Sequence, residues 1–180
     1  MINPYKINSG SSQFQHVGKV SSLNGKVQKI HDSNFNKGLS QGKRSNPPAV
    51  VKTSMKATGR HDAQRGYNLN FAMWFTDPDK GSYISIAFGK PINVTGIMFL
   101  TGVPPAPEDK LGPETIVIAT VGERKISLGH FSPDGDFLFR SRGTNISELL
   151  ISITSNIRHW VVIDHIIIDT ISESNSTFTN

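Results

Sequence analysis

Several groups of residues in this chain have the types and spacing that chemistry uses. Asp77-Pro78-Asp79 sets two carboxylates one residue apart, an arrangement that can share a hard divalent cation. The same three residues are good turn formers, and no glycine-rich phosphate cradle surrounds them, so they read as a turn leading into a strand. His159, Asp164, His165 and Asp169 are all metal-ligating types. On a strand, however, odd separations send side chains to opposite faces, so His159 and Asp164 diverge, and His165 sits in an apolar run as a packed or edge residue. None of the six histidines pairs with another at the i, i+4 spacing of a zinc-protease helix. Ser132-Pro133-Asp134-Gly135 lacks the surroundings of a nucleophile elbow and reads as an isolated turn. The chain has no cysteine, which excludes disulfides, thiolate metal sites and a cysteine nucleophile. No residue is assigned a catalytic role, and no metal site is assigned.

The segment 101–112 is different. Pro104, Pro105 and Pro107 stiffen it, and Glu108 and Asp109 follow directly. A stiff loop that presents a carboxylate beside an aromatic ring such as Trp74 suits carbohydrate. The ring covers the C–H face of a sugar while the carboxylate accepts bonds from hydroxyls or an amide. The competing reading is a proline-rich surface loop with Trp74 in the core, and the residues alone leave both open.

The elements that must position these groups are short strands. Ile84, Ile86 and Phe88 alternate with smaller residues, the period of a half-buried strand. Gly89-Lys90-Pro91 then reads as a turn into a second strand over 93–100. Further strands are expected over 49–55, 69–75, 114–121, 125–129, 137–140, 149–154 and 160–168, with a tight turn at Gly122-Glu123. Many short strands without a helical period indicate an all-β protein, an antiparallel β-sandwich of the jelly-roll kind. The expected organisation is an irregular, poorly ordered leader over 1–46, a sandwich over 47–170 and a polar tail over 171–180, with Asn46-Pro47-Pro48 as the boundary.

Eleven of the 19 Lys and Arg residues but only two of the 14 acids fall within residues 1–66, so the front of the chain is strongly basic. Such a segment is a solvated leader or a contact for nucleic acid or another acidic partner. No aromatic or arginine-rich cluster accompanies it, so the expectation is no nucleic acid. No apolar run is long enough for a membrane span, and the first residues lack the apolar core of a signal peptide. Three sequons, at Asn93, Asn145 and Asn175, are no more than chance provides, and the first falls in a strand.

Several motifs resemble the C-terminal part of the N-acetylglucosaminyltransferase IV family. They are the run over 13–32, Asn46-Pro47-Pro48-Ala49 with the residues over 51–56, Ala72-Met73-Trp74-Phe75-Thr76-Asp77-Pro78, Gly81-Ser82-Tyr83-Ile84, Pro107-Glu108-Asp109-Lys110-Leu111 and Trp160-Val161-Val162-Ile163. Together they cover about residues 13–169. The resemblance implies a β-sandwich similar to carbohydrate-binding modules and lectins, following a catalytic domain that uses UDP-N-acetylglucosamine and a divalent metal in the Golgi. This chain would hold only the last remnant of that domain, so it needs no cofactor and is expected not to transfer sugar by itself, although the family is one of enzymes. The implied partners are N-glycans with terminal N-acetylglucosamine, bound through Asp109 as main acceptor, Glu108 second and Trp74 as platform. The family usually has His before the proline of the acidic loop, where this chain has Ala106.

Overall fold

The computed structural model describes residues 45–59, 61–69 and 71–171, all within one compact unit. Residues 1–44 of the expected leader over 1–46, the tail beyond residue 171 and the sequon at Asn175 lie outside the described residues.

Every strand pairing is antiparallel. The strands are β1 (Ala49–Thr53), β2 (Met73–Phe75), β3 (Tyr83–Thr101), β4 (Thr115–Val121), β5 (Arg124–His130), β6 (Asp136–Ile153) and β7 (Val161–Thr170). Their hydrogen-bonded order is β2-β7-β3-β6-β4-β5, with β1 added to β3. This continuous path becomes two layers because β3 and β6 are long and bend together. The first half of β3 pairs with β1 and the second half of β6, whereas its second half pairs with β7 and the first half of β6. The result is a jelly-roll β-sandwich whose core includes Ile84, Ile86, Phe99, Leu149, Ile151, Val161 and Ile163. Phe99, Phe131 and Phe137 cluster with centroids 5.7 to 5.8 Å apart. Tilted contacts of this kind contribute about 0.5–1.5 kcal/mol each beyond their buried area.

Three sequence expectations need correction. Gly89-Lys90-Pro91 does not turn the chain back. It is a corner within β3, where the register with β6 jumps between Ala87 and Ile92. Pro91 has no Cα partner there, so its missing N–H costs no ladder bond. Likewise, the expected strands over 137–140 and 149–154 are one strand, and its polar middle is the matching corner. Gly143 adopts φ 135° there, and a Cβ on it would lie 2.5 Å from Asn93 Oδ1.

The third correction lies between β1 and β2. The strand expected over 69–75 survives only as β2, and helix α1 (Ala63–Leu69) precedes it. Asp62 caps the helix by accepting from the Arg65 N–H at 2.8 Å. Ala63, Gly66 and Tyr67 face inward at i, i+3 and i+4. Gly66 is needed, because a Cβ would sit 2.2 Å from Met73 Cγ.

Side-chain amides blunt two strand edges. Gln64 accepts from the Val51 N–H at 2.7 Å and donates to the Ala49 carbonyl at 3.2 Å, standing in for a further strand beside β1. Asn46 does the same on β7, donating to the Ile166 carbonyl at 2.8 Å and accepting from the Ile168 N–H at 3.1 Å. Tyr67 donates its hydroxyl to the Pro47 carbonyl at 2.7 Å, and burial pushes its phenol above the ordinary range. The Asn-Pro-Pro segment is thereby tied to the sandwich on both sides.

Candidate functional site

The acidic segment begins where β3 ends. Thr101 is buried, and its hydroxyl donates to the Gly135 carbonyl at 2.6 Å while accepting from the Leu111 N–H at 3.0 Å. One hydroxyl therefore closes the base of the loop and anchors it to the turn before β6. Within the loop, Val103 and Ala106 bond to each other around Pro104-Pro105, and the Asp109 N–H then bonds back to Ala106 at 3.2 Å. Two consecutive tight turns lead to the carboxylates, and the prolines fix them at little entropic cost.

The loop is fastened to β7 through one residue. Val162 donates its N–H to the Asp109 carbonyl and accepts from the Gly102 N–H, both at 2.8 Å. On its other side Val162 is the direct cross-strand partner of Trp74. Asp109 and Trp74 therefore flank the same strand, with backbones about 10 Å apart, two inter-strand spacings. Both are linked to Val162 through the backbone. Glu108 stands exposed in the loop and has no such tie.

Trp74 is not a core residue. Met73 and Phe75 take the inward positions of β2, so alternation sends Trp74 outward, where it is part-buried. Its ring meets Trp160 edge-on at 6.2 Å and His61 at 5.7 Å, and His61 in turn meets Phe71 at 6.0 Å. Arg65 lies 5.7 Å over the Phe71 ring. Trp160 is 41% exposed, so the outer side of this aromatic group is open to solvent. Sequence reasoning placed Trp160 in a motif but not in the site. Its position at the start of an expected strand was legible, but the pairing of that strand with the strand of Trp74 was not. His61 had no such signal, because its ring arrives through the α1 segment that was not expected.

The remaining candidates fall elsewhere. Asp77 and Asp79 are exposed at the turn before β3, where the Asp79 carbonyl accepts from the Ser82 N–H at 3.0 Å. Asp164 and His165 meet at 2.9 Å because a register shift in β7 falls on them. Among the described residues, no group of three or more His, Asp or Glu side chains could hold a metal ion. Ser132-Pro133-Asp134-Gly135 is a turn, closed by the Gly135 N–H on the Ser132 carbonyl at 3.0 Å. Beside it, burial and the Asp134 charge raise the Asp136 carboxyl above its ordinary range, against a smaller lowering by Lys110.

A sequence model of the MGAT4 C-terminal domain matches residues 49–165. The chain belongs to the MGAT4 C-terminal domain family. Alpha-1,3-mannosyl-glycoprotein 4-beta-N-acetylglucosaminyltransferase A of Xenopus tropicalis is 34% identical, over 86% of this chain and 32% of the relative. The chain thus spans about a third of the length of the curated relatives that it matches over most of its residues. Among solved structures, the family 32 carbohydrate-binding module of C. perfringens NanJ, in complex with galactose, superposes with a TM-score of 0.52 at 11% identity, covering 67% of this chain and 92% of that one. The lectin domain of lectinolysin, complexed with Lewis B antigen, gives 0.53 at 6% identity, over 70% and 95%. These likenesses establish the β-sandwich fold of carbohydrate-binding modules and lectins for this MGAT4 C-terminal domain. No described helix is long and apolar enough to cross a membrane.

Proposed function

We propose that this chain is a lectin-like module of an N-glycan-branching N-acetylglucosaminyltransferase and recognises glycans ending in N-acetylglucosamine. The observation that carries the proposal is the double role of Val162, which holds the Asp109 loop on one side and faces Trp74 on the other. The Trp74–Trp160 group offers a platform for the C–H face of the sugar. The Asp109 carboxylate has no hydrogen-bond partner among the described residues, and it accepts from a hydroxyl or from the acetamide N–H. Glu108, at the exposed part of the loop, is a second acceptor. A shallow site with so few contacts binds a monosaccharide at about millimolar Kd, ~4 kcal/mol.

Recognition rather than transfer is the role we assign to these residues, in the Golgi lumen where the full-length relatives' reaction would place them. The sandwich over 47–170 is the module, and the residues before it belong to the preceding part of the longer relatives. Titration with N-acetylglucosamine, mannose and galactose, followed by amide NMR on the wild type and Asp109→Ala, tests the proposal. Saturable shifts are expected for N-acetylglucosamine and are lost in the variant. Equal responses to all three sugars, or none, would contradict it.

A further inference from the structure

The outer face of the layer formed by β1, β3, β6, β4 and β5 carries a groove of about 670 Å3, lined by none of the residues of the Asp109 site. Its floor consists of Ser85 and Ala87 from β3 and Glu148 and Leu150 from β6, two directly paired rows. They point outward because Ile84, Ile86, Leu149 and Ile151 take the inward positions. The short side chains of β3 leave the floor low. Lys52 on β1 and Lys125 on β5 line the groove from outer strands, and Tyr83 lines it while 37% exposed.

The polar groups narrow the choice of ligand. Ser85 donates its hydroxyl to Glu148 Oε1 at 2.6 Å, with both side chains part-buried. That bond fixes a carboxylate in the floor, while its other oxygen has no donor among the described residues. Lys52 and Lys125 likewise have no carboxylate partner among the described residues. An apolar ligand or a flat protein surface would bury all three charges without compensation, which is costly. A small anion would meet the Glu148 charge. A hydroxyl-rich chain meets every requirement, since its hydroxyls donate to the carboxylate and accept from the ammonium groups. Its C–H faces lie against Tyr83, Leu150 and Val50. The volume also falls within the range of small-molecule sites, about 300–1,000 Å3.

We infer that this groove is a second binding site, for a neutral oligosaccharide laid across β3 and β6 between Lys52 and Lys125. It shares only its class of ligand with the Asp109 reading and stands if that site fails. The test uses the full chain in the Asp109→Ala background, titrated with a neutral biantennary N-glycan ending in N-acetylglucosamine and, separately, with free N-acetylglucosamine. The amides of Ser85, Ala87 and Leu150 are expected to shift saturably with the oligosaccharide and little with the monosaccharide. Adding Glu148→Gln keeps the side-chain shape, leaves the spectrum dispersed and weakens binding about tenfold, the loss of one charge-assisted bond. The inference is overturned if these amides do not move with the oligosaccharide, or if Glu148→Gln binds as tightly. Broadening of the same amides with protein concentration alone would assign the face to a second copy of the chain and also overturn it. The wild-type titration reports on the Asp109 loop separately, so the two sites fail or survive independently.

Discussion

Two stretches of this chain carry the same local signal, a glycine two residues before a proline, and do different things with it. At Gly89-Lys90-Pro91 the strand continues and the sheet turns a corner, because β6 bends at Gly143 in step with β3 and receives the chain again beyond the break. At 102–111 the chain leaves the sheet, and its bonds go to its own turns, to the Thr101 hydroxyl and to Val162. The glycine and proline mark where ladder bonds stop. Whether the chain then bends or departs is decided by whether a neighbouring strand bends with it. The corner builds the fold, and the loop presents the candidate acid.

The contrast can be broken at several points. The largest effect is expected at the corner. Gly143→Val places a branched residue at φ 135° and against Asn93, and it should lower unfolding stability by about 3 kcal/mol, read as a drop in denaturation midpoint. An unchanged midpoint would mean that the two strands do not bend in concert.

At the loop, Thr101→Val keeps the volume but leaves the Gly135 carbonyl and the Leu111 N–H without their partner. A loss of ~2 kcal/mol in stability is expected, together with weaker sugar binding as the loop loosens. If stability falls while affinity holds, the loop is not the presenting element.

Trp74→Ala should separate presentation from folding. We expect N-acetylglucosamine affinity to fall about tenfold, the worth of one aromatic platform, with a smaller change in stability than at the corner because Trp74 faces away from the core. A large loss of stability with unchanged affinity would return Trp74 to a structural role.

The smallest effect is the pH response beside the loop anchor. The Asp136 carboxyl is raised in the fold, so its contribution to stability is fully present below the ordinary carboxylate range and is lost as pH rises through the raised value. Asp136→Asn should flatten that segment of the stability–pH curve, and an unaltered curve would place the titration elsewhere.

Much of this arrangement was legible in the sequence, for a physical reason. Strands such as 83–88 and 115–120 alternate because one face is buried, and Gly122-Glu123 has the composition of the two-residue turn that it forms. The polar middle of β6, from Ser141 to Asn145, concealed a strand because an exposed corner needs no apolar residues. The helix α1 was hidden by its length: seven residues offer only a single i, i+3, i+4 set, and its Asp62 cap is seen only in the structure. In the candidate site, Asp109 and Trp74 could be named from their types. Trp160, His61 and the linking role of Val162 depend on strand order, which no local pattern encodes.

The most direct test of the central claim is a single titration of the wild-type chain with N-acetylglucosamine. It follows the indole N–H signals of Trp74 and Trp160 together with the amides of Asp109 and Val162. All four should move with one common Kd, as a single site built on two sides of β7 requires. If the loop amides move while both indoles stay still, or the signals follow different dissociation constants, Asp109 and the tryptophans do not form one site.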